Sequence, residues 1–140
     1  MTDVPKFERM VERIEWRGGL DGLLVLAFRN AEGGLDERAL DRPGDVVIGV
    51  QAASFASEAA RAAAAAFGVC VATKNIDKPV FVRQILEQAL KFMRGVAPDS
   101  VALYHALDRL RALVESSSQQ GIDLRAEVLA EVERILVESR

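Results

Sequence analysis

The chain has 140 residues, half of them apolar and 28% charged, with a formal net charge of −3. These values exclude disordered, collagen-like and disulfide-rich classes, and the length suits one hydrophobic core. The lone Cys70 forms no internal disulfide, so the expected setting is a reducing cytoplasm. The opening residues lack an apolar h-region, so they do not read as a signal peptide, and the longest apolar runs are too short for a membrane span.

Along the chain, Phe7, Met10, Val11 and Ile14 fall at i, i+3, i+4 and i+7 after Pro5, which predicts a helix over residues 5–16 ended by Gly18-Gly19. The continuous apolar run at 23–28 predicts a strand buried on both faces. A turn-rich loop at 30–34 precedes a short helix at 35–40. The β-branched residues of 45–51 predict the strongest strand. A helix over 54–67 follows, capped by Ser54 or Ser57, with Gly68 as its terminal glycine. Residues 69–73 predict a third short strand. Three helices complete the chain, at 79–94, 99–116 and 124–138, with Asp99 and Asp123 as caps. The polar link at 116–121 makes the last two an antiparallel hairpin.

The resulting expectation is a single α/β domain over residues 1–140, with an α/β part at 1–78 and a helical part at 79–140. Its sheet is small, three-stranded and parallel, built from 23–28, 45–51 and 69–73 through crossover connections. Such a sheet is undersized, which points to completion by another subunit or to heavy covering by helices.

Charge and alanine are both unevenly placed. Residues 1–73 hold 8 basic and 11 acidic side chains, residues 74–94 hold 5 and 2, and residues 95–140 hold 5 and 8. The basic middle segment reads first as pairing with its acidic flanks and second as an anion-binding patch. A nucleic-acid surface would need a more basic domain. Ten of the 21 alanines lie between positions 52 and 66. They predict a helix of low bulk that packs closely, against its own fold or against another subunit.

Catalytic patterns are scarce. His105 lies off the main apolar stripe of its helix, with Asp108 as its one local partner, and reads as a surface residue. Cys70 reads as a small buried hydrophobe. No phosphate-binding glycine loop, dinucleotide fingerprint or nucleophile elbow occurs, and no metal or cofactor is expected. If the three strands are parallel, their carboxyl ends bring Arg29, Gln51, Ser54, Ser57, Lys74, Asn75 and Lys78 to one edge, where a parallel sheet binds ligands and helix N-termini favour anions. Residues 44–75 also resemble one strand–loop–helix–strand unit of the sugar isomerase domains, which hold sugar phosphates with hydroxyls in the loop after a strand. The loop here lacks the glycine that accompanies those hydroxyls, and the flanking sequence departs from the pattern, so the family is not assigned.

Three functions are weighed. The leading one is a non-enzymatic interaction or assembly module that forms a homo-oligomer or serves as a small subunit. The alternative is a binding protein for a small phosphate-bearing anion at the predicted edge. An enzyme using Asp45 or Asp77 as acid or base ranks last, because neither carboxylate has a partner that can be named.

Overall fold

The structure, a computed structural model, describes residues 10–140. It is α/β, with a four-stranded mixed sheet and five α-helices among the described residues. Strands β1 (Met10–Arg17), β2 (Leu23–Arg29) and β3 (Leu35–Leu40) form an antiparallel meander. Helix α1 (Pro43–Ala52) leads to the two-residue strand β4 (Ser54–Phe55), which lies parallel to β1. Helices α2 (Glu58–Val71), α3 (Pro79–Arg94), α4 (Val101–Ser116) and α5 (Ile122–Glu138) follow. The strand order is β3-β2-β1-β4.

Several sequence expectations are corrected. The helix over 5–16 is strand β1 from Met10 onward, and residues 5–9 lie outside the described residues. The cause is a bulge. Val11 faces Phe28 while Arg13 faces Ala27, so Glu12 is an extra residue and the ladder shifts. Val11 and Ile14 therefore both face inward although three residues apart, which imitates helical spacing. The short helix at 35–40 is strand β3. The 30–34 loop closes a β-hairpin, in which Asn30 Oδ1 accepts from the Glu32 and Gly34 N–H groups at 3.1 and 2.9 Å.

The strand at 45–51 is helix α1. Pro43 sits in its first turn, and Val46, Gly49 and Val50 form its buried stripe. Packing here overrides the β preference of its residues. The third strand, 69–73, does not exist: α2 continues through Gly68 to Val71. The sheet is therefore not three-stranded and parallel, and residues 44–75 are not a strand–loop–helix–strand unit. Strand 23–28 and the three C-terminal helices are found within a few residues of their expected bounds. Ser57 caps α2, with its Oγ accepting from Ala60 N–H at 3.1 Å, whereas Ser54 lies in β4. Ser100, not Asp99, caps α4, and Gly121 occupies the N-terminal position of α5, with Asp123 in its first turn.

The core lies between one face of the sheet and the helices. Pairing places Val11, Ile14, Leu24, Leu26, Phe28 and Leu40 on the inner face. Trp16 shares that face and stacks on Phe67 of α2, with centroids 5.3 Å apart and planes at 10°. Such a pair adds about 0.5–1.5 kcal/mol beyond its buried area. Every residue of α2 from Ala62 to Val71 is buried. A helix that is apolar all round belongs at the centre of a fold. Among the described residues it contacts all four other helices and the sheet.

The outer face of the sheet is different. Val25 and Ala27 are buried there without joining the main core. In the ladder Ala27 lies between Arg13 and Glu37, and Val25 lies beside Glu15. Arg17 grips Glu37 with two hydrogen bonds of 3.0 and 2.8 Å, and Arg13 bonds the same carboxylate at 2.9 Å. Arg17 also bonds Glu15. These arginines hold the Glu37 carboxyl below the usual range, Arg17 foremost.

Gly68 marks the closest approach to α2. A Cβ there would lie 2.3 Å from Met93 Cε of α3 and 2.7 Å from Val46 Cγ1 of α1. Gly68→Ala is expected to destabilise the protein by about 1–3 kcal/mol through overpacking, despite alanine's better helix propensity. Urea denaturation measures this, and an unchanged or higher midpoint contradicts it.

Candidate functional site

The predicted ligand edge rested on three parallel strands, and the structure divides it in two. Arg29 ends β2, beside the Met10 end of β1 that β4 pairs with. Gln51 lies in the last turn of α1, Ser54 in β4 and Ser57 at the start of α2. These four residues occupy one end of the sheet and its adjoining helix termini. Lys74, Asn75 and Lys78 follow the far end of α2. A 14-residue helix is about 20 Å long, so the lysines are separated from Ser57 by that distance. The division follows directly from α2 continuing where a strand was expected.

The individual side chains have local roles. Arg29 bonds Glu12 at 2.7 Å. Ser57 spends its hydroxyl on the helix cap. Gln51 is exposed and lines a cleft of about 680 Å³ between α1, α2 and the α3–α4 connection. The N-termini of α2 and α4 meet at this cleft. There Ser100 Oγ accepts from Leu103 N–H and donates to Glu58 Oε2 at 2.7 Å. Glu58 also pairs with Arg61 at 3.8 Å. The two positive helix ends are thus already supplied with a carboxylate from the chain itself. With Asp99 also on the wall, the cleft carries two acids to one base.

At the far end, Lys74 contributes its backbone. Its carbonyl accepts from Arg125, whose Nη2 donates to Leu20 O at 2.8 Å, Asp21 Oδ1 at 3.0 Å and Lys74 O at 3.4 Å. Arg125 is 7% exposed. It joins α5 to the β1–β2 turn and to the turn after α2. Sequence reasoning missed it, although the signal was present. Arg125 precedes Val128, Leu129 and Val132 by three, four and seven residues, on the buried stripe of α5. A charged residue there must have buried partners.

The basic segment of residues 74–94 is partly consumed within the fold. Arg94 bonds Asp108 at 2.5 Å and lies 5.2 Å from the Tyr104 ring centroid. Arg83 donates to the carbonyls of Glu115 and Ser117 at the end of α4. Lys78 precedes α3 without capping it, and Asn75 is exposed.

His105 is exposed beside Arg109 and Glu138, in a recess floored by Ala59, Ala62, Ala102 and Ala106. Arg109 is engaged by Glu138 at 2.5 Å and by Glu131. Asp45 pairs with Arg42 at 3.9 Å, and Asp77 is exposed in the turn before α3. Among the described residues, no three His, Cys, Asp or Glu side chains are placed to hold a metal ion. Among them, too, no helix is long and apolar enough to cross a membrane.

Comparison with protein-family models, curated proteins and solved structures gives no match.

Burial pushes the Cys70 thiol up to about 12, from an ordinary value of 9.0. At pH 8 the native thiol is protonated and enclosed, so iodoacetamide should label Cys70 only after denaturation. Because the native pKa is raised, the thiol's contribution to stability is complete below pH 9.0. It is lost as pH rises toward 12, where the unfolded chain ionises first. Rapid labelling of folded protein contradicts this burial. Arg125→Met should cost about 1–3 kcal/mol in chemical denaturation, because the carbonyls of Leu20 and Lys74 lose a buried donor. Asp21→Asn should cost less, since Asp21 is 76% exposed.

Proposed function

We propose that this chain is a non-enzymatic interaction and assembly module that builds a homo-oligomer or serves as a small subunit of a complex. The observation that carries the reading is the state of the sheet. Its helices pack on one face, and neither long edge is closed by a full strand among the described residues. The outer edge of β3 has no strand beside it, and β4 covers β1 only at Met10 and Val11. Open edges present backbone donors and acceptors that a second chain can pair.

The alternative of a small anionic ligand has less support. Its serine and lysine groups lie at opposite ends of α2, and the cleft beside Gln51 is lined by Glu58 and Asp99. The carboxylates of Asp45 and Asp77 lie apart, the first paired with Arg42.

Light scattering during size-exclusion chromatography tests the reading. The expected mass at tens of micromolar protein is a multiple of 15.3 kDa, falling on dilution. A single-chain mass up to millimolar concentration, with no partner recovered on co-purification from the native host, would overturn it.

A further inference from the structure

Resting on that reading, we propose that the outer faces of α3 and α5 are the two halves of a self-association contact. The α3 helix of one copy packs in parallel along α5 of a second copy, with Lys78 opposite Asp123.

Each of these helices carries an outer stripe besides the face it buries. From its N-cap position onward, α3 presents Lys78, Phe81, Ile85, Gln88 and Phe92, at spacings of 3, 4, 3 and 4 residues. On α5 the stripe is Asp123, Ala126, Ala130, Glu133 and Val137, with the same spacings. That alternation is the one at which two helices interlock along their length. Ile85 is half-buried and the rest are exposed. The fold leaves Phe81 47%, Phe92 59% and Val137 63% exposed, which is apolar surface a partner can cover.

The two stripes fit in size. With Lys78 beside Asp123, Phe81 meets Ala126, Ile85 meets Ala130, Gln88 meets Glu133 and Phe92 meets Val137. Bulk on α3 thus falls against small residues on α5. Ala130, Glu133 and Val137 also line a shallow recess of about 290 Å³ on the outside of α5, and Ile85 and Phe92 of the second copy enter it.

Charge selects the pairing. Arg83 and Arg94 of α3 are engaged within the chain, but Lys78 and Asp123 are not. Among the described residues, neither side chain takes part in an ion pair or hydrogen bond. Parallel pairing of α3 with α3, or of α5 with α5, sets like charges together at these positions. Parallel pairing of α3 with α5 sets opposite charges together and brings the basic segment 74–94 against the acidic C-terminal part of a second copy. The antiparallel arrangement that pairs Lys78 with Glu133 leaves Phe92 and Val137 uncovered. Because the two faces differ and each copy has both, the contact is head-to-tail and builds rings or filaments.

The test uses exposed positions, and circular dichroism confirms that each variant folds. Lys78→Glu and Asp123→Lys each set like charges together and should weaken self-association roughly fivefold. The chain carrying both reversals restores opposite charges and should regain association. Phe92→Ala should weaken association by roughly tenfold. As a second measurement, chains carrying Gln88→Cys and Glu133→Cys are mixed under mild oxidation. They should form a disulfide-linked pair that neither forms alone, while the buried Cys70 stays reduced. The contact is overturned, and the assembly reading stands, if the unaltered chain associates but the reversals leave it unweakened. The same holds if the double reversal fails to recover or the mixed cysteines do not link. If the unaltered chain is monomeric up to millimolar concentration, the contact falls, and the assembly reading falls with it when no partner co-purifies.

Discussion

The enclosure of α2 sets the terms for the rest of the structure. Ten consecutive residues, Ala62 to Val71, lie out of solvent, so every side of the helix needs a neighbour. Small side chains make this possible. Ala62 to Ala66 let α4, α5 and the sheet approach closely, and Gly68 lets α1 and α3 do the same one turn further on. The bulk that fills the core comes from the surrounding elements instead: Leu24, Leu26 and Phe28 from the sheet, Leu86 and Met93 from α3, and Leu103, Leu107 and Leu110 from α4. Only Phe67 projects a large ring from α2, and it meets Trp16. A slender helix at the centre with broad ones around it satisfies dense packing without strain.

Polar groups sort themselves around that centre. Arg125 is the buried charged residue, placed where the β1–β2 turn and the turn after α2 meet, with two carbonyls and Asp21 to receive its Nη2 group. Elsewhere, charge lies over the fold. Arg13, Arg17 and Glu37 form an ion-pair group on the outer face of the sheet, beside the buried Ala27, and among the described residues no helix packs on that face. The aliphatic stems of such arginines cover apolar surface while their heads stay wet. Among the described residues, one sheet face thus meets the helices and the other carries a lattice of ion pairs.

The functional reading follows from that geometry more than from any cluster of reactive groups. The helix ends that meet beside Gln51 are served by Glu58 and Ser100, and the hydroxyl of Ser57 is used within its own helix. Backbone pairing at an edge requires no special side-chain chemistry.

Periodicity in the sequence was enough to determine the three C-terminal helices, because each has a long amphipathic repeat. It also determined the strand at 23–28 and the close-packing character of the alanine run, since an apolar strand-length run and a bulk-free helix have few alternatives. The cap of α2 was narrowed to Ser54 or Ser57, and the structure decides for Ser57. Tertiary structure alone decided the state of residues 10–17, 35–40, 45–51 and 69–73. A bulge at Glu12 disguised β1 as a helix. Pairing with β2 made a strand of residues with helical preferences at 35–40. Packing against Gly68 made a helix of the β-branched residues at 45–51. The burial of α2 on every side carried it through Gly68, where a local reading stops a helix. The candidate site depended on these same short segments, and it divided when they changed state. In short segments of mixed propensity, local preferences amount to only about 1 kcal/mol per residue, and burial against distant residues outweighs them.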